Sequence, residues 1–326
     1  MEHTINNSLK LIHNIDETTL SFLKEWHNDL PYIIATTSGS TGTPKSIKLL
    51  KKDMIKSAMA TCNFFHINED STLVLPLSTN YIAGKMMIVR AIVSKSNIWI
   101  EQPSNQPLKK DYGIIDLIPV VPSQIDWIIS GCQYNNKIKT LLVGGGNLTI
   151  SKEKNLLFLG IDAYVSYGMT ETCSHIALRK ISNPIYETLS GISISQDSRN
   201  CLIINAPQFS YKHLVTNDII ELIDDNHFIW KGRYDNVINT GGVKIYPEKI
   251  EYKLSQLITQ PFYIIGEKDE FWGEIIVLYI EAKDINKTRL LEKISEILDK
   301  FEIPKKIVCV ETFKYTHSGK IKRLLL

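Results

Sequence analysis

The chain has 326 residues, a formal net charge of +2, 44% hydrophobic residues and 22% charged ones. That length suggests two domains, and that composition is ordinary for a globular protein with a sizeable core. So small a charge gives no argument for nucleic acid or an anionic membrane as a partner. No apolar run approaches the length of a spanning helix, and Met1-Glu2-His3-Thr4 does not read as a signal peptide, so no membrane insertion is expected. The five cysteines (Cys62, Cys132, Cys173, Cys201, Cys309) form no C-x-x-C pair. That pattern predicts reduced thiols in a cytoplasmic protein and disfavours a structural zinc site.

The first informative segment is Thr36-Thr37-Ser38-Gly39-Ser40-Thr41-Gly42-Thr43-Pro44-Lys45. It offers hydroxyls, unhindered backbone N–H groups and one lysine, which together suit an anion. Tyr32–Ala35 before it and Ser46–Leu50 after it read as strands, so the run reads as a phosphate cradle between two strands, with an ordinary solvated hairpin loop as the plain alternative. It is not a Walker A loop. Pro44 stands where the second glycine belongs, and proline carries no N–H to donate there.

Residues 51–65 then read as a helix with Met54, Ile55, Ala58, Met59, Cys62 and Phe65 as its apolar stripe. Short β-rich runs follow at Thr72–Leu75, Asn97–Ile100, Gly113–Leu117, Thr140–Val143 and Ala163–Val165, with helical or loop segments between most of them. Pro122-Ser123 opens one such segment, which carries Ile125, Ile128 and Ile129. This alternation predicts an α/β domain with a largely buried sheet. From Gly191 to Trp230 the pieces Cys201–Ile204, Ile219–Leu222 and Phe228–Trp230 read as a small antiparallel sheet or barrel. A domain boundary is expected near Asp235. Beyond it lies a compact α+β unit: a helix opened by Pro247, strands Phe262–Ile265 and Glu274–Ala282, a helix over Thr288–Lys300, and a strand Lys306–Val310.

Four further segments carry chemistry. Gly144-Gly145-Gly146 ends the strand run Thr140–Val143 and would let a flat ligand lie on bare backbone. Tyr167-Gly168-Met169-Thr170-Glu171-Thr172 places an aromatic face, hydroxyls and a carboxylate together; a helix-capping threonine beside an acid is the plain alternative. The others are Gly232 to Glu251 and the terminal Ser318-Gly319-Lys320-Ile321-Lys322-Arg323.

Together and in this order, from about Tyr32 to the C-terminus, these segments resemble the adenylate-forming superfamily of acyl- and aryl-CoA ligases, luciferases and nonribosomal adenylation domains. The resemblance implies an α/β adenylate-forming fold with ATP, Mg²⁺ and CoA as cofactors and co-substrates. Residues 1–234 would form the ATP- and acid-binding domain, and 235–326 a mobile α+β domain. By position, Thr37, Ser38, Gly39, Ser40, Thr41, Gly42 and Lys45 would cradle the ATP phosphates. Gly144, Gly145, Gly146 and Tyr167 would frame the adenine, and Gly168 would also be ATP-binding. Thr170 would touch the α-phosphate and Glu171 would bind Mg²⁺. Asp218 and Arg233 would hold the ribose, Asp235 would be the hinge, Lys320 would enter the site for adenylation, and Gly241 and Gly242 would admit the CoA arm.

The chain departs from the pattern at its front. The phosphate loop starts at Thr36, much earlier than in the family, so most of the first subdomain is expected to be missing. A homodimer could cover the face this exposes. The run Tyr81-Ile82-Ala83-Gly84-Lys85-Met86-Met87, with Ser174-His175-Ile176-Ala177-Leu178-Arg179, looks like the short bacterial o-succinylbenzoate–CoA ligases of menaquinone synthesis. That narrower resemblance implies an acid with a second carboxylate. Lys85, Arg90 and His175 would meet the carboxylate, and Tyr81 and Met86 would pack the ring. For Lys85 and Arg90 a salt bridge or a snorkelling helix residue is the competing reading. The matching pocket region offers Asn80 and Tyr81 instead of an ammonium-binding Asp, and six residues follow Lys320, so a nonribosomal adenylation domain is disfavoured. Another aryl or acyl acid, or a non-catalytic nucleotide-binding paralogue, stays open.

Overall fold

A computed structural model describes residues 11–36, 45–131, 136–316 and 321–325 of the chain. Strands Tyr32–Thr36 and Ser46–Leu50 pair antiparallel, Tyr32 opposite Leu50 and Thr36 opposite Ser46. The two ends of the Ser/Thr/Gly run therefore leave from adjacent strands. Helix Lys51–Phe65 follows directly and stops at His66, whose left-handed backbone (φ 56°) caps it.

The buried face of that helix differs from the expected stripe. Met54, Ala58 and Cys62 are buried, but Ile55 and Met59 are exposed, and Asp53, Ser57 and Thr61 are buried beside the apolar residues. These three polar residues recur every fourth position and so share one face. Two of the side chains have named partners: Asp53 accepts from the Ser210 N–H, and the Thr61 hydroxyl donates to the Ser57 backbone carbonyl.

Among the described residues the main sheet has nine strands. From one edge they run Ser193–Gln196, Cys201–Ala206, Lys212–Leu222, His227–Arg233, Ile185–Thr188, His175–Lys180, Asp162–Gly168, Thr140–Val143 and Ile118–Val120. The last three are mutually parallel; every other neighbour pair is antiparallel. A smaller parallel sheet, Ile12–His13, Asn97–Ile100 and Thr72–Leu75, touches the main one through a bridge between Leu73 and Leu117.

The segment Gly191–Trp230 is thus no separate sheet or barrel. Its strands continue the parallel sheet, because the tight turn after Gly168 sends His175–Lys180 back antiparallel along Asp162–Gly168. The composition changes there because antiparallel strands can keep one wet face, whereas the parallel strands are covered on both.

After Ile238 a second sheet forms from Val243–Ile245, Ile238–Thr240, Gly273–Glu281 and Phe262–Asp269, with Lys306–Val310 parallel to Gly273–Glu281. Helices Pro247–Leu254 and Lys287–Ser295 cover it. The second helix ends before the expected Lys300, yet Ile294 and Leu298 are buried as its apolar face requires, while Leu291 is exposed. Ile238, Ile250, Leu254, Ile264, Leu278, Ile294 and Leu298 belong to a hydrophobic cluster distinct from the large one that spans Ile12 to Phe228. Among the described residues no helix is long and apolar enough to cross a membrane.

Candidate active site

Strands Thr140–Val143 and Asp162–Gly168 are adjacent and parallel, so the glycines at their C-terminal ends meet at one edge of the sheet. In open parallel sheets that edge is where ligands bind. Gly145 has φ +80°, a conformation that favours glycine, and a Cβ on it would come within 3.3 Å of Val121. Gly168 is fixed by crowding instead. A Cβ there would lie 2.4 Å from the Cα of His175 and 2.5 Å from the Ser174 carbonyl oxygen. The strand carrying the Tyr167 motif can therefore approach the His175 strand only with glycine at 168.

Next to this edge sits a hydrogen-bonded cluster around Asp218. The Tyr167 hydroxyl donates to Asp218 Oδ2 at 2.8 Å, and the Trp230 indole N–H donates to Asp218 Oδ1 at 3.1 Å. Arg233 lies 3.8 Å from Asp218 and pairs with Asp235 at 2.7 Å. Burial, reinforced by the Asp218 charge, pushes the Tyr167 phenol far above its ordinary range, so it remains a donor. Its ring meets Tyr186 and Phe228 edge-on, while those two rings stack on each other. The structure thereby gathers Tyr167, Asp218, Arg233 and Asp235. Three partners escaped the sequence reading. Trp230 fixes the Asp218 carboxylate, Asn217 donates to Asp235, and Arg199 donates to Asn217 and lies over the Tyr234 ring.

On the other side of the Gly168 crossing lies a second buried cluster. Arg90, on helix Ile82–Ser94, is 2% exposed. It donates to Ser174 Oγ at 2.6 Å; its Nε has no partner, and it forms no ion pair among the described residues. Burial lowers the guanidinium to about 10, so it is still a cation at neutral pH. Burial, and then the Arg90 charge, holds His175 well below the ordinary histidine range, so His175 is neutral. One directed chain links the cluster and leaves only the Arg90 Nε unpartnered among these groups. Arg90 donates to Ser174, Ser174 to His175 Nδ1, His175 Nε2–H to Thr61, and Thr61 to the Ser57 carbonyl. Ser57 and Thr61 were not anticipated, although the polar residues at four-residue spacing on helix Lys51–Phe65 were a readable sign.

The remaining expected residues are distributed as follows. Thr170, Glu171 and Thr172 form one 3₁₀ turn. Thr172 is buried and its hydroxyl takes the capping role, accepting from the Met169 N–H, while Glu171 is exposed. Lys85 is buried with its charge 3.4 Å from Glu25 and its ammonium over the Phe22 ring, so that charge is taken up by the helix Glu17–His27. Tyr81 is exposed at the start of helix Ile82–Ser94, and Met86 is wholly inside the main core. Lys45 is exposed at the head of strand Ser46–Leu50. Gly241 and Gly242 both have positive φ at the turn between Ile238–Thr240 and Val243–Ile245. Thr37, Ser38, Gly39, Ser40, Thr41, Gly42 and Lys320 lie outside the described residues.

Residues 7–196 match the family of AMP-binding enzymes. The chain belongs to that family. A solved structure of an acyl-CoA synthetase (AMP-forming)/AMP-acid ligase II-like protein from Dyadobacter fermentans is 30% identical, with a TM-score of 0.59, and the match covers 93% of this chain and 91% of that one. The o-succinylbenzoate CoA synthetase of Bacillus subtilis in complex with its acyl-adenylate intermediate superposes with a TM-score of 0.77 at 20% identity, over 89% of this chain and 67% of that one. The same Bacillus enzyme in complex with ATP and magnesium gives 0.75. Among curated proteins, the 2-succinylbenzoate–CoA ligase of Staphylococcus aureus is 25% identical over 89% of this chain. The chain spans 65% of that relative's length. The adenylate-forming fold is thus shared with enzymes of both short and long chains.

Proposed function

We propose that this AMP-binding enzyme is an acid–CoA ligase that works through an acyl-adenylate, and that its acid is o-succinylbenzoate, the precursor used in menaquinone synthesis. The observation that carries the choice of acid is Arg90. A buried cation with no acid partner among the described residues and an unpartnered Nε is costly unless a ligand supplies the anion. A substrate with a carboxylate beyond the one being activated supplies it. Ser174 and neutral His175 add hydrogen bonds without adding charge. The Staphylococcus and Bacillus relatives, named for that acid, support the same choice.

The chemistry follows from the two clusters. Asp218 and Arg233 hold the ribose and the glycine edge takes the adenine, which sets the α-phosphate beside Thr170. The acid, held at its far end by Arg90, presents its reactive carboxylate to that phosphorus. An oxygen–phosphorus bond forms, and pyrophosphate leaves. Mg²⁺, when bound, neutralises charge between acid and pyrophosphate. Among the described residues no three metal-binding side chains gather, and Glu171 stands as a single exposed carboxylate. That donor set fits an ion held mostly by phosphates and water, as Mg²⁺ usually is. Lys320 would enter for this step and then leave, as residues 235–326 turn about Asp235 and bring Gly241-Gly242 to the site for attack by the CoA thiol.

The test is CoA-dependent AMP release from Mg·ATP with o-succinylbenzoate, benzoate, a medium-chain fatty acid and a few amino acids. Selective turnover of o-succinylbenzoate is the expected result. Preference for a monocarboxylate would keep the ligase and discard the acid. ATP binding without turnover of any acid would replace the ligase by a nucleotide-binding paralogue.

A further inference from the structure

The proposed hinge motion needs something to hold one orientation until the first step is complete. Helix Pro247–Leu254, in the C-terminal unit, lies against helix Ile150–Phe158, which begins just after the Gly144–Gly146 edge. Two hydrogen bonds join them. The Tyr252 hydroxyl donates to Glu153 Oε2 at 3.2 Å, and the Ile150 N–H donates to Ser255 Oγ at 3.3 Å. The second serves an amide that the start of a helix leaves without an internal partner.

Glu153 is fixed by more than Tyr252. It is buried, takes a 2.6 Å hydrogen bond from Arg179 and accepts from the Ser182 N–H. Arg179 in turn lies over the Tyr186 ring, and Tyr186 packs on Tyr167 of the Asp218 cluster. The large-domain half of the contact is therefore rigid and continuous with the nucleotide site. Tyr252 and Ser255 are the parts that must release.

Resting on the two-domain ligase reading above, we propose that Tyr252–Glu153 and Ser255–Ile150 form an interdomain latch that sets the balance between the two orientations. Tyr252 and Ser255 are positioning residues; neither touches substrate. The latch shares no residue with the contact between Asp235 and Asn217, so each can be altered without removing the other.

Tyr252→Phe removes the hydroxyl and keeps the ring, and Ser255→Ala removes the second acceptor. Two readouts are taken on each full-length variant: small-angle X-ray scattering without substrate, and the rates of the two half-reactions, pyrophosphate release without CoA and thioester formation from preformed acyl-adenylate. The expected result is a shifted scattering profile, with the ratio of the two rates changed about tenfold by opposite movements of the two. Unchanged scattering with both rates within twofold of the parent would overturn the latch. So would equal losses in both rates tracking a lower melting temperature, since that is a purely structural effect. If the parent shows no ligase turnover but the variants still shift the scattering, the ligase reading falls and the latch stands. Turnover in the parent with identical scattering in all three proteins leaves the ligase and removes the latch.

Discussion

Two arginines in this molecule are held in opposite ways. Arg323 grips Glu251 with two 2.7 Å hydrogen bonds, donates a third to the Ile264 carbonyl, and lies 3.8 Å from Glu248. Its charge is matched inside the fold, and it ties the C-terminal residues to the small sheet, where the Tyr263 hydroxyl also binds the Leu324 carbonyl. Arg90 is more deeply buried yet, among the described residues, has only Ser174 and the Met87 sulfur as side-chain acceptors. A folded chain keeps the first arrangement for itself. The second is useful only when something else brings the anion.

The contrast breaks first at Arg90. Arg90→Met keeps the apolar stem and removes the charge. The KM for o-succinylbenzoate should rise by about a hundredfold, the order seen when one partner of a buried charge pair is lost, while the melting temperature stays level or rises. A matching fall in stability would make Arg90 structural. Arg323→Met should do the reverse. It leaves Glu251 without its cation and should cost about 2–3 kcal/mol in denaturant unfolding, less than a wholly buried pair because the Arg323 side chain is 24% exposed. Acid discrimination should be unchanged, and a variant as stable as the parent would contradict this reading. Asp218→Asn sharpens the nucleoside side, where ATP affinity should fall about tenfold while acid preference is retained. Loss of acid preference instead would merge the two clusters into one.

The smallest effect is a pH dependence from His175. Burial and Arg90 lower its folded-state pKa, so the unfolded chain takes up a proton first as pH falls. Its contribution is complete above the ordinary histidine value of about 6.5 and is lost as pH drops below it. Thermal unfolding between pH 7.5 and 5.5 should therefore slope less in His175→Asn than in the parent. Equal slopes would mean that His175 does not titrate differently on folding.

Much of this was legible in the chain and some was not. Strand ends such as Thr72–Leu75, Asn97–Ile100 and Ser46–Leu50 follow from local apolar runs, and helix Lys51–Phe65 from its periodicity. Sheet continuity is non-local. Nothing near Gly191 reveals that Cys201–Ala206 and Lys212–Leu222 extend the sheet that Ile118–Val120 begins at its far edge. At the site, the order of motifs pointed to Tyr167, Asp218, Arg233 and Asp235, and the structure sets them within one group joined by hydrogen bonds and ion pairs. Lys85 and Arg90 looked alike as cations on one helix. Only packing separates them, because Glu25 reaches Lys85 and no described carboxylate reaches Arg90. The Tyr252–Glu153 contact joins residues too far apart in sequence for spacing to reveal it.

The most direct test of the central claim compares the parent and Arg90→Met in CoA-dependent AMP release with o-succinylbenzoate and with benzoate. The account predicts that the parent strongly prefers o-succinylbenzoate and that the variant loses this preference while still turning over benzoate at the parental rate. An Arg90→Met enzyme that keeps the parental preference would contradict it.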